Sequence, residues 1–491
     1  MSPEYTPPMA NYVASVGMEV HAELLTESKM FCRCPVGFGG EPNTRVCPVC
    51  LALPGSLPVP NRKAVELVLL TALALNCQIA GEPGRHRSIF HRKNYFYPDI
   101  PKGYQISQYG DTNPLGYGGH LDLPSGKRVK IRRVHLEEDT GKLTHLGDGT
   151  SGVDYNRAGV PLMEIVTEFP PDIATPEDAK EYLVQLRQIL VWLGVCDGKM
   201  EEGSLRCEPN ISVREPGSER YGIKAELKNL NSFRSVQLGV AFEVKRQVGV
   251  IEAGGTLRQE TRGWDEGTET SFPMRTKEAE NDYRYFPDPD LVPMEFDEAY
   301  LAGLRDSLPE LPLAKLQRYQ DAFGLNAKDA ERLLQDREWA EFFEEAVAMG
   351  GDPKAICNWM NSDFAKMLNE AGLSARQSHV GPAHLENLAK LISEGTISGK
   401  IGKDVFAETF ASGKMPSEIV AERGLTQISD IDEIARCARE VKAENPDSVA
   451  KFRAGQDGVI GFLVGQVMKR GQGRFNPQLV QQVMRQELES E

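Results

Sequence analysis

No apolar run in the 491-residue chain reaches the roughly 18 residues that a membrane-spanning helix requires. The best candidate, AVELVLLTALAL, is short and contains Glu66. The opening residues MSPEYTPPMANYVAS lack the basic and apolar regions of a secretory signal, so the chain reads as cytoplasmic. Nine cysteines in so long a chain without a signal argue against a disulfide framework. There is no internal repeat and no low-complexity tract. The phosphate-cradling pattern G-x4-G-K-[ST] is missing, and GTISGKI has the wrong spacing, so any ATP chemistry needs a different cradle. Basic residues are outnumbered, 56 Lys and Arg against 71 Asp and Glu, for a net charge of −15. That total does not exclude a nucleic-acid partner, because local patches determine phosphate binding.

What is present is an ordinary globular composition, 40% hydrophobic and 26% charged, with length for about three domains at roughly 150 residues each. Residues 1–296 read as α/β with a mixed, largely antiparallel sheet: short alternating runs and Gly/Pro turns. Two helices interrupt them. NRKAVELVLLTALALNC starts at Asn61, and TPEDAKEYLVQLRQILVWLG has Thr175 as N-cap and Gly194 at its end. After the Pro-rich hinge DPDLVPMEFD the periodicity becomes helical, over 297–410 and again over a tail, 411–491.

Basic residues gather in three places. GKRVKIRR holds five between Lys127 and Arg133, on a strand where solubilising a surface is the plainer role. RHRSIFHRKNYFYPDIPKGY interleaves cations with aromatics, the combination that binds single-stranded nucleic acid. Lys451 to Arg485 carries six basic residues and one acid, Asp457.

The strongest spacing is Cys32, Cys34, Cys47 and Cys50, two close thiol pairs separated by a short loop. It suits closed, structural tetrahedral zinc. VGMEVHAEL raises another question. On a strand, Glu19, His21 and Glu23 share one face while Met18, Val20 and Ala22 share the other. Such a face can bind a hard cation, perform acid–base work or simply meet solvent. Other acids join it: Glu137, Glu138 and Asp139 in RVHLEEDTGK, Glu226 between Lys224 and Lys228 in IKAELKNLNSF, and Glu164 alone in the apolar GVPLMEIVTEF. A buried Glu164 needs a partner, and Mg²⁺ shared with a substrate phosphate is one that fits.

The strings GMEVHAEL, KNYFYPDIPKGYQISQY, HLEEDTGK, AGVPLMEIVTE, MEEGSLRCEPNIS, KAELKNLNSF, QETRGWDE and MRTKEAENDYRYFPDPDL together resemble the B subunit of the GatCAB aspartyl/glutamyl-tRNA amidotransferase family, from about residue 13 to 293. GQDGVIGFLVGQVMK resembles that family's C-terminal domain. The resemblance implies a cradle-shaped catalytic domain (1–296) with a zinc-knuckle insertion, a helical domain (297–410) and a tRNA-binding tail (411–491). It implies ATP- and Mg²⁺-dependent phosphorylation of the side-chain carboxylate of Glu-tRNA(Gln) or Asp-tRNA(Asn), then displacement of phosphate by ammonia. The implied partners are an amidase subunit that releases the ammonia, a small third subunit that completes a heterotrimer, the misacylated tRNA and a non-discriminating synthetase. No amidase Ser-Ser-Lys signature occurs in this chain, which agrees with an external ammonia source.

Carried over by position, the resemblance assigns Mg²⁺ to Glu19, His21, Glu138, Glu164 and Glu226, with Glu138 preferred to Glu137. It leaves Glu23 a bystander, and Glu208 stands where relatives carry Asp, outside the metal set. Phosphate and carboxylate handling fall to Lys93, Tyr97, Arg206, Lys224 and Lys228, and tRNA contact to Lys451, Arg453, Lys469, Arg470 and Arg474. Two competing readings are a non-catalytic, zinc-containing tRNA-binding module and a zinc hydrolase. Converging carboxylates would repel RNA, which counts against the first, and four cysteines leave zinc no open position, which counts against the second.

Overall fold

The computed structural model describes residues 11–276, 283–426, 430–471 and 474–490. Most of the segment read for a secretory signal, and 277–282 within MRTKEAENDYRYFPDPDL, lie outside the described residues. The chain forms two compact units, one ending at Leu313 and the other beginning at Ala314.

The first unit is built on a nine-stranded sheet. From edge to edge its strands are Thr270–Thr276, Glu260–Asp265, Ala225–Lys228, Leu205–Arg214, Val13–Glu23, Pro161–Thr167, Arg128–Glu138, Gly116–Asp122 and Gln78–Ile79. Every pairing is antiparallel except Ala225–Lys228 with Glu260–Asp265, and that parallel step is bridged by the helix Phe233–Glu252, as parallel neighbours require. The sheet is amphipathic. Met18, Val20 and Ala22 join Met163, Ile165, Cys207 and Ile211 in one apolar core with the helices Arg62–Ala74, Pro176–Trp192 and Phe233–Glu252. The opposite face carries the polar residues.

Capping sets the helix starts. Asn61 accepts from the Lys63 and Ala64 amides. Thr175 accepts from the Asp178 amide while the Asp178 carboxylate accepts in return from the Thr175 amide, a reciprocal capping box. Gly194 closes that region with φ +66°, a conformation glycine adopts without a Cβ penalty.

The strand Arg128–Glu138 changes phase midway. Ile131 and Arg133 pair with the consecutive residues Thr167 and Val166, so Arg132 is an extra residue in a β-bulge. Val129 and Ile131 face the core before it, and Val134 and Leu136 after it. All five basic residues here are paired: Lys127 with Asp178, Arg128 with Asp122, Lys130 with Asp172, Arg132 with Asp111 and, more loosely, Arg133 with Glu164 at 3.9 Å. A small sheet of Phe286–Pro287, His91–Asn94 and Tyr104–Ser107 stands beside the large one. The helix Glu298–Ser307 still packs Leu301 and Leu304 into this unit's core.

The second unit is helical. Tyr319, Phe342, Phe343, Phe364 and Phe406 are buried there, with Tyr319 and Phe343 ring centroids 5.2 Å apart. A separate apolar cluster of Ile434, Val441, Leu463, Val467, Val480 and Met484 joins the helices Ile431–Glu444, Ile460–Arg470 and Pro477–Glu489. Among the described residues no helix is long and apolar enough to cross a membrane.

Candidate catalytic cleft and metal centres

Strand register assembles the site. His21 is paired with Glu164 on one side and Arg206 on the other, and Glu164 is paired onward with His135. Because all these strands are antiparallel and in register, Arg206, His21, Glu164 and His135 form one rung across four strands. Glu164 Oε2 is 3.0 Å from His135 Nε2 and 3.5 Å from His21 Nε2. Glu137 reaches the same rung, 3.7 Å from His21 Nε2 and 3.6 Å from His135 Nε2. Glu19 lies 3.8 Å from His21 Nε2. Ligand atoms of Glu19, His21 and Glu164, and of His135, Glu137 and Glu164, can each be chosen within 4.8 Å of one another.

The electrostatics show a site with surplus negative charge. Burial and the neighbouring Glu164 push Glu19 up to about 7. Burial would lower His21, but the hydrogen bond and charge of Glu164, with Glu137 and Glu19, push it up to about 9. Burial opposes ionisation of Glu164, yet His135 and His21 outweigh it and hold the carboxyl well below its usual range. Glu137 is held low in the same way, chiefly by the His135 hydrogen bond against burial. Two imidazoles thus stand in for the positive charge that three clustered carboxylates demand, and a divalent cation would supply it directly.

Glu226 extends the acid wall into the same cleft, an opening of about 550 Å³. It accepts from Thr261 Oγ1 at 3.0 Å and pairs with Lys228 at 3.3 Å. Glu208 is directly opposite Glu19 across the strand pair, and Lys228 Nζ at 2.6 Å offsets that like-charge juxtaposition.

Glu138 does not join the rung. It accepts from the Ile106 amide at 3.0 Å and pairs with Lys102. The cause is strand phase: Val134 and Leu136 face the core, so His135 and Glu137 face the cleft and Glu138 turns away. The same signal is present in the sequence once the double arginine is recognised as a bulge. His135 is absent from the sequence-based set, although it alternates with Glu137 in VHLEE.

The cationic residues divide. Lys93, Arg206 and Lys228 line the cleft. Lys93 Nζ is 5.0 Å from the Tyr283 ring centre, and despite burial the charges of Glu137 and neighbours hold its ammonium above the usual value. Arg206 Nη2 donates to Asp139 at 2.6 Å. Asp139 in turn faces Glu23, which burial and Asp139 push up to about 7, so Glu23 belongs to the support of Arg206. Tyr97 is more than half exposed and does not line the cleft; Tyr95 does. Lys224 opens onto an adjoining cleft that shares Glu19 as a wall.

The four predicted cysteines converge, with ligand sulfurs all within 4.8 Å. Cys50 Sγ lies 3.9 Å from Cys47 Sγ and 4.0 Å from Cys34 Sγ. Tetrahedral zinc with its usual sulfur bond length places sulfurs about 3.8 Å apart, so the residues fit that ion. Hydrogen bonding from Cys32, the Cys47 amide and the charge of Lys29 overcome burial and bring Cys50 down to about 4, the thiolate that a metal needs. All nine cysteines are free thiols.

In the tail, Lys451, Arg453, Lys469 and Arg470 are exposed. Arg470 is already paired with Glu440 and Glu444, and Arg453 donates to the Ser490 carbonyl at 3.2 Å. Arg474 is half-buried, with its Nε buried and unpaired.

Residues 14–302 match the family model described as "GatB/GatE catalytic domain", and residues 341–488 that described as "GatB domain". The chain is similar to the aspartyl/glutamyl-tRNA(Asn/Gln) amidotransferase B subunit of Thermoanaerobacter pseudethanolicus, 51% identical over 97% of this chain and 99% of the relative. The same-named protein of Moorella thermoacetica is 51% identical over 97% of this chain and 100% of the relative. That of Brevibacillus brevis is 48% identical over 98% and 100%. The chain therefore belongs to the B-subunit family of tRNA-dependent aspartyl/glutamyl amidotransferases.

Proposed function

We propose that the cleft phosphorylates the side-chain carboxylate of Glu-tRNA(Gln) and Asp-tRNA(Asn) with ATP, and that ammonia from a partner glutaminase then displaces phosphate to give Gln-tRNA(Gln) and Asn-tRNA(Asn). A carboxylate is a poor acyl donor because its leaving group would be oxide, and conversion to an acyl phosphate makes departure easy. Phosphoryl transfer rests on positioning and charge neutralisation rather than covalent participation by the protein. The observation that carries this reading is the rung itself: a buried Glu164 between His21 and His135, with Glu19, His21 and Glu137 lining one cleft together with Lys93, Arg206 and Lys228.

Glu19, Glu137 and Glu164 are the oxygen ligands offered to Mg²⁺, with Glu226 at the edge and His21 in its surrounding shell, since Mg²⁺ prefers oxygen. Bound there, the ion supplies charge neutralisation of the phosphoryl oxygens. Arg206, oriented by Asp139, is placed for the substrate carboxylate, and Lys93 and Lys228 for phosphate. The cysteine cluster takes structural zinc. Residues 1–296 form the cradle catalytic domain and 297–410 a helical domain. The tail, 411–491, binds tRNA through Lys451, Arg453, Lys469, Arg470 and Arg474. The chain acts in the cytoplasm as the ATP-dependent carbon–nitrogen ligase component of a heterotrimer, beside the amidase and a small third subunit, receiving its tRNA from the non-discriminating synthetase.

In the assembled complex, Glu164→Ala abolishes phosphate transfer from γ-labelled ATP to Glu-tRNA while glutaminase activity persists at least in part. Normal phosphorylation by that variant would refute the metal assignment.

A further inference from the structure

The loop between the two thiol pairs grips a part of the chain far from it in sequence, the strand Ser151–Asp154 and the turn that follows. Asn43, within that loop, is held at φ +61°, a conformation asparagine tolerates. Its amide donates to Asp154 Oδ1 at 3.0 Å, its side-chain nitrogen donates to the Val153 carbonyl at 3.0 Å, and its side-chain oxygen accepts from the Tyr155 amide at 2.7 Å. Asn156 answers from the other side. It is buried, and its side chain donates to the Glu41 carbonyl at 2.7 Å and accepts from the Arg45 amide at 2.8 Å. Arg45 Nη2 donates in turn to the Gly37 and Gly39 carbonyls, which closes the loop on itself. The first cysteine arm adds two ties. The buried Lys29 ammonium lies 3.6 Å from Cys50 Sγ and donates to the Tyr155 carbonyl at 3.0 Å, and the Met30 amide donates to the Gly159 carbonyl at 2.7 Å.

The same turn faces the catalytic cleft. Arg157, next to Asn156, donates from Nε to the Thr140 carbonyl and from Nη2 to the Gly141 carbonyl, both at 3.0 Å. Its Nε stands 3.6 Å from Asp139 Oδ2, the oxygen that also accepts from Arg206 Nη2. The Gly159 amide donates to the Asp139 carbonyl at 2.9 Å, and the Asp139 amide to the Val160 carbonyl at 2.8 Å. Gly141 permits this close approach, since a Cβ there would lie 3.0 Å from the Asp154 carbonyl oxygen and 3.1 Å from Tyr155 Cδ1. Asp139 and Thr140 line the cleft with Arg206. Arg206 Nε is buried without a hydrogen-bond partner among the described residues, so the orientation of that guanidinium depends on Asp139. Two adjacent residues therefore act in opposite directions: Asn156 holds the thiol loop, and Arg157 holds the turn that fixes Asp139.

We propose that Asn156 is a positioning residue for the phosphoryl-transfer cleft, transmitting the order of the thiol loop through Arg157 and Asp139 to Arg206. The proposal rests on the reading above, in which Arg206 meets the substrate carboxylate. A carboxylate that attacks a phosphoryl group in line needs orientation more than grip. A guanidinium held by a connected set of hydrogen bonds supplies that orientation, and one whose supports are loose does not. A metal ion among the four sulfurs pins both ends of the loop, so the loop meets Asn156 as a fixed frame. The closed thiol centre thereby acquires a consequence in the cleft.

The test compares wild type, Asn156→Ala, Arg206→Ala and the double variant in the assembled complex. The readouts are phosphate transfer from ATP to Glu-tRNA and deuterium uptake by the backbone of residues 139–141. Asn156→Ala lowers kcat by about tenfold, leaves KM for ATP and for Glu-tRNA within about twofold of wild type, and speeds uptake at 139–141. In the Arg206→Ala background the same change lowers kcat by no more than about twofold further. Losses that multiply in full in the double variant, a loss confined to KM, or unchanged uptake at 139–141 would overturn the coupling while leaving phosphoryl transfer at the rung intact. Where Arg206→Ala leaves no measurable transfer, the kcat and uptake of Asn156→Ala decide alone. Wild-type kcat in Arg206→Ala would overturn the reading of Arg206 and this proposal with it. Should Asn156→Ala fail to fold, the wild-type complex stripped of zinc by a chelator decides: uptake at 139–141 rises and kcat falls, and any other pattern overturns the proposal.

Discussion

Glu137 and Glu138 are neighbours in sequence and point to opposite sides of their strand, Glu137 to within 3.7 Å of His21 Nε2 and Glu138 to the Ile106 amide at 3.0 Å. Of the two, only Glu137 belongs to a cluster with Glu164 and His135 whose ligand atoms lie close enough to hold a metal ion. Glu137→Gln therefore raises the Mg²⁺ concentration needed for half-maximal phosphorylation by about tenfold or more, the scale of losing a metal-site oxygen charge. Glu138→Gln leaves that midpoint unchanged. A titration of Glu-tRNA phosphorylation against Mg²⁺ separates the two, and equal shifts would return Glu138 to the metal set.

The cysteine cluster is expected to hold one zinc per chain, measurable by elemental analysis. Cys47→Ala or prolonged chelation removes it, and four thiols whose sulfurs gather within 4.8 Å lose their reason to stay together. The segment from Cys32 to Cys50 then becomes sensitive to protease. The midpoint of the first thermal transition drops by roughly 2–4 °C for each kcal/mol lost. Wild-type protein with no zinc and unchanged protease resistance after chelation would contradict the assignment.

Asp178 gives a pH signature remote from the metal cleft. Burial resists its ionisation, but the bonds from Lys127, Thr175 and the Ala174 amide hold its carboxyl below the ordinary 3.8. A depressed folded value means the stabilisation is fully present above 3.8 and is lost as pH falls through the lower, folded value. Asp178→Asn thus lowers stability by about 1 kcal/mol at pH 7 through the capping box and its ion pair. The difference from wild type shrinks below pH 3.8 and disappears in stronger acid. Parallel melts at neutral pH and in acid below that value test it, and a gap that persists unchanged in acid would show that the charge is not responsible.

Local rules carried much of this structure. Alternation in VGMEVHAEL sorted Met18, Val20 and Ala22 from Glu19 and His21, and Asn61 and Thr175 began their helices. Paired thiol spacing located a cluster that the fold does bring together. What was not legible depends on long-range register. Nothing in GVPLMEIVTEF says that Glu164 will stand between two histidines from different strands. Tyr95 rather than Tyr97 lines the cleft because the chain turns after the short strand His91–Asn94, where period-two reasoning no longer holds. The alternation of Lys224, Glu226 and Lys228 is plain in the sequence, yet the segment runs from one cleft to the next and separates the first lysine from the other two residues. In the tail, pairing of Arg470 with Glu440 and Glu444 is invisible in a tally of basic residues.

The extra residue at Arg132 works like a frameshift in the strand that carries it. Excising a single amino acid there would keep every acid in Arg128–Glu138 yet rotate its outer half by one step, turning Val134 and Leu136 out and His135 and Glu137 in toward hydrocarbon. The number of residues between Ile131 and Val134 therefore governs the chemistry as firmly as the identity of any carboxylate.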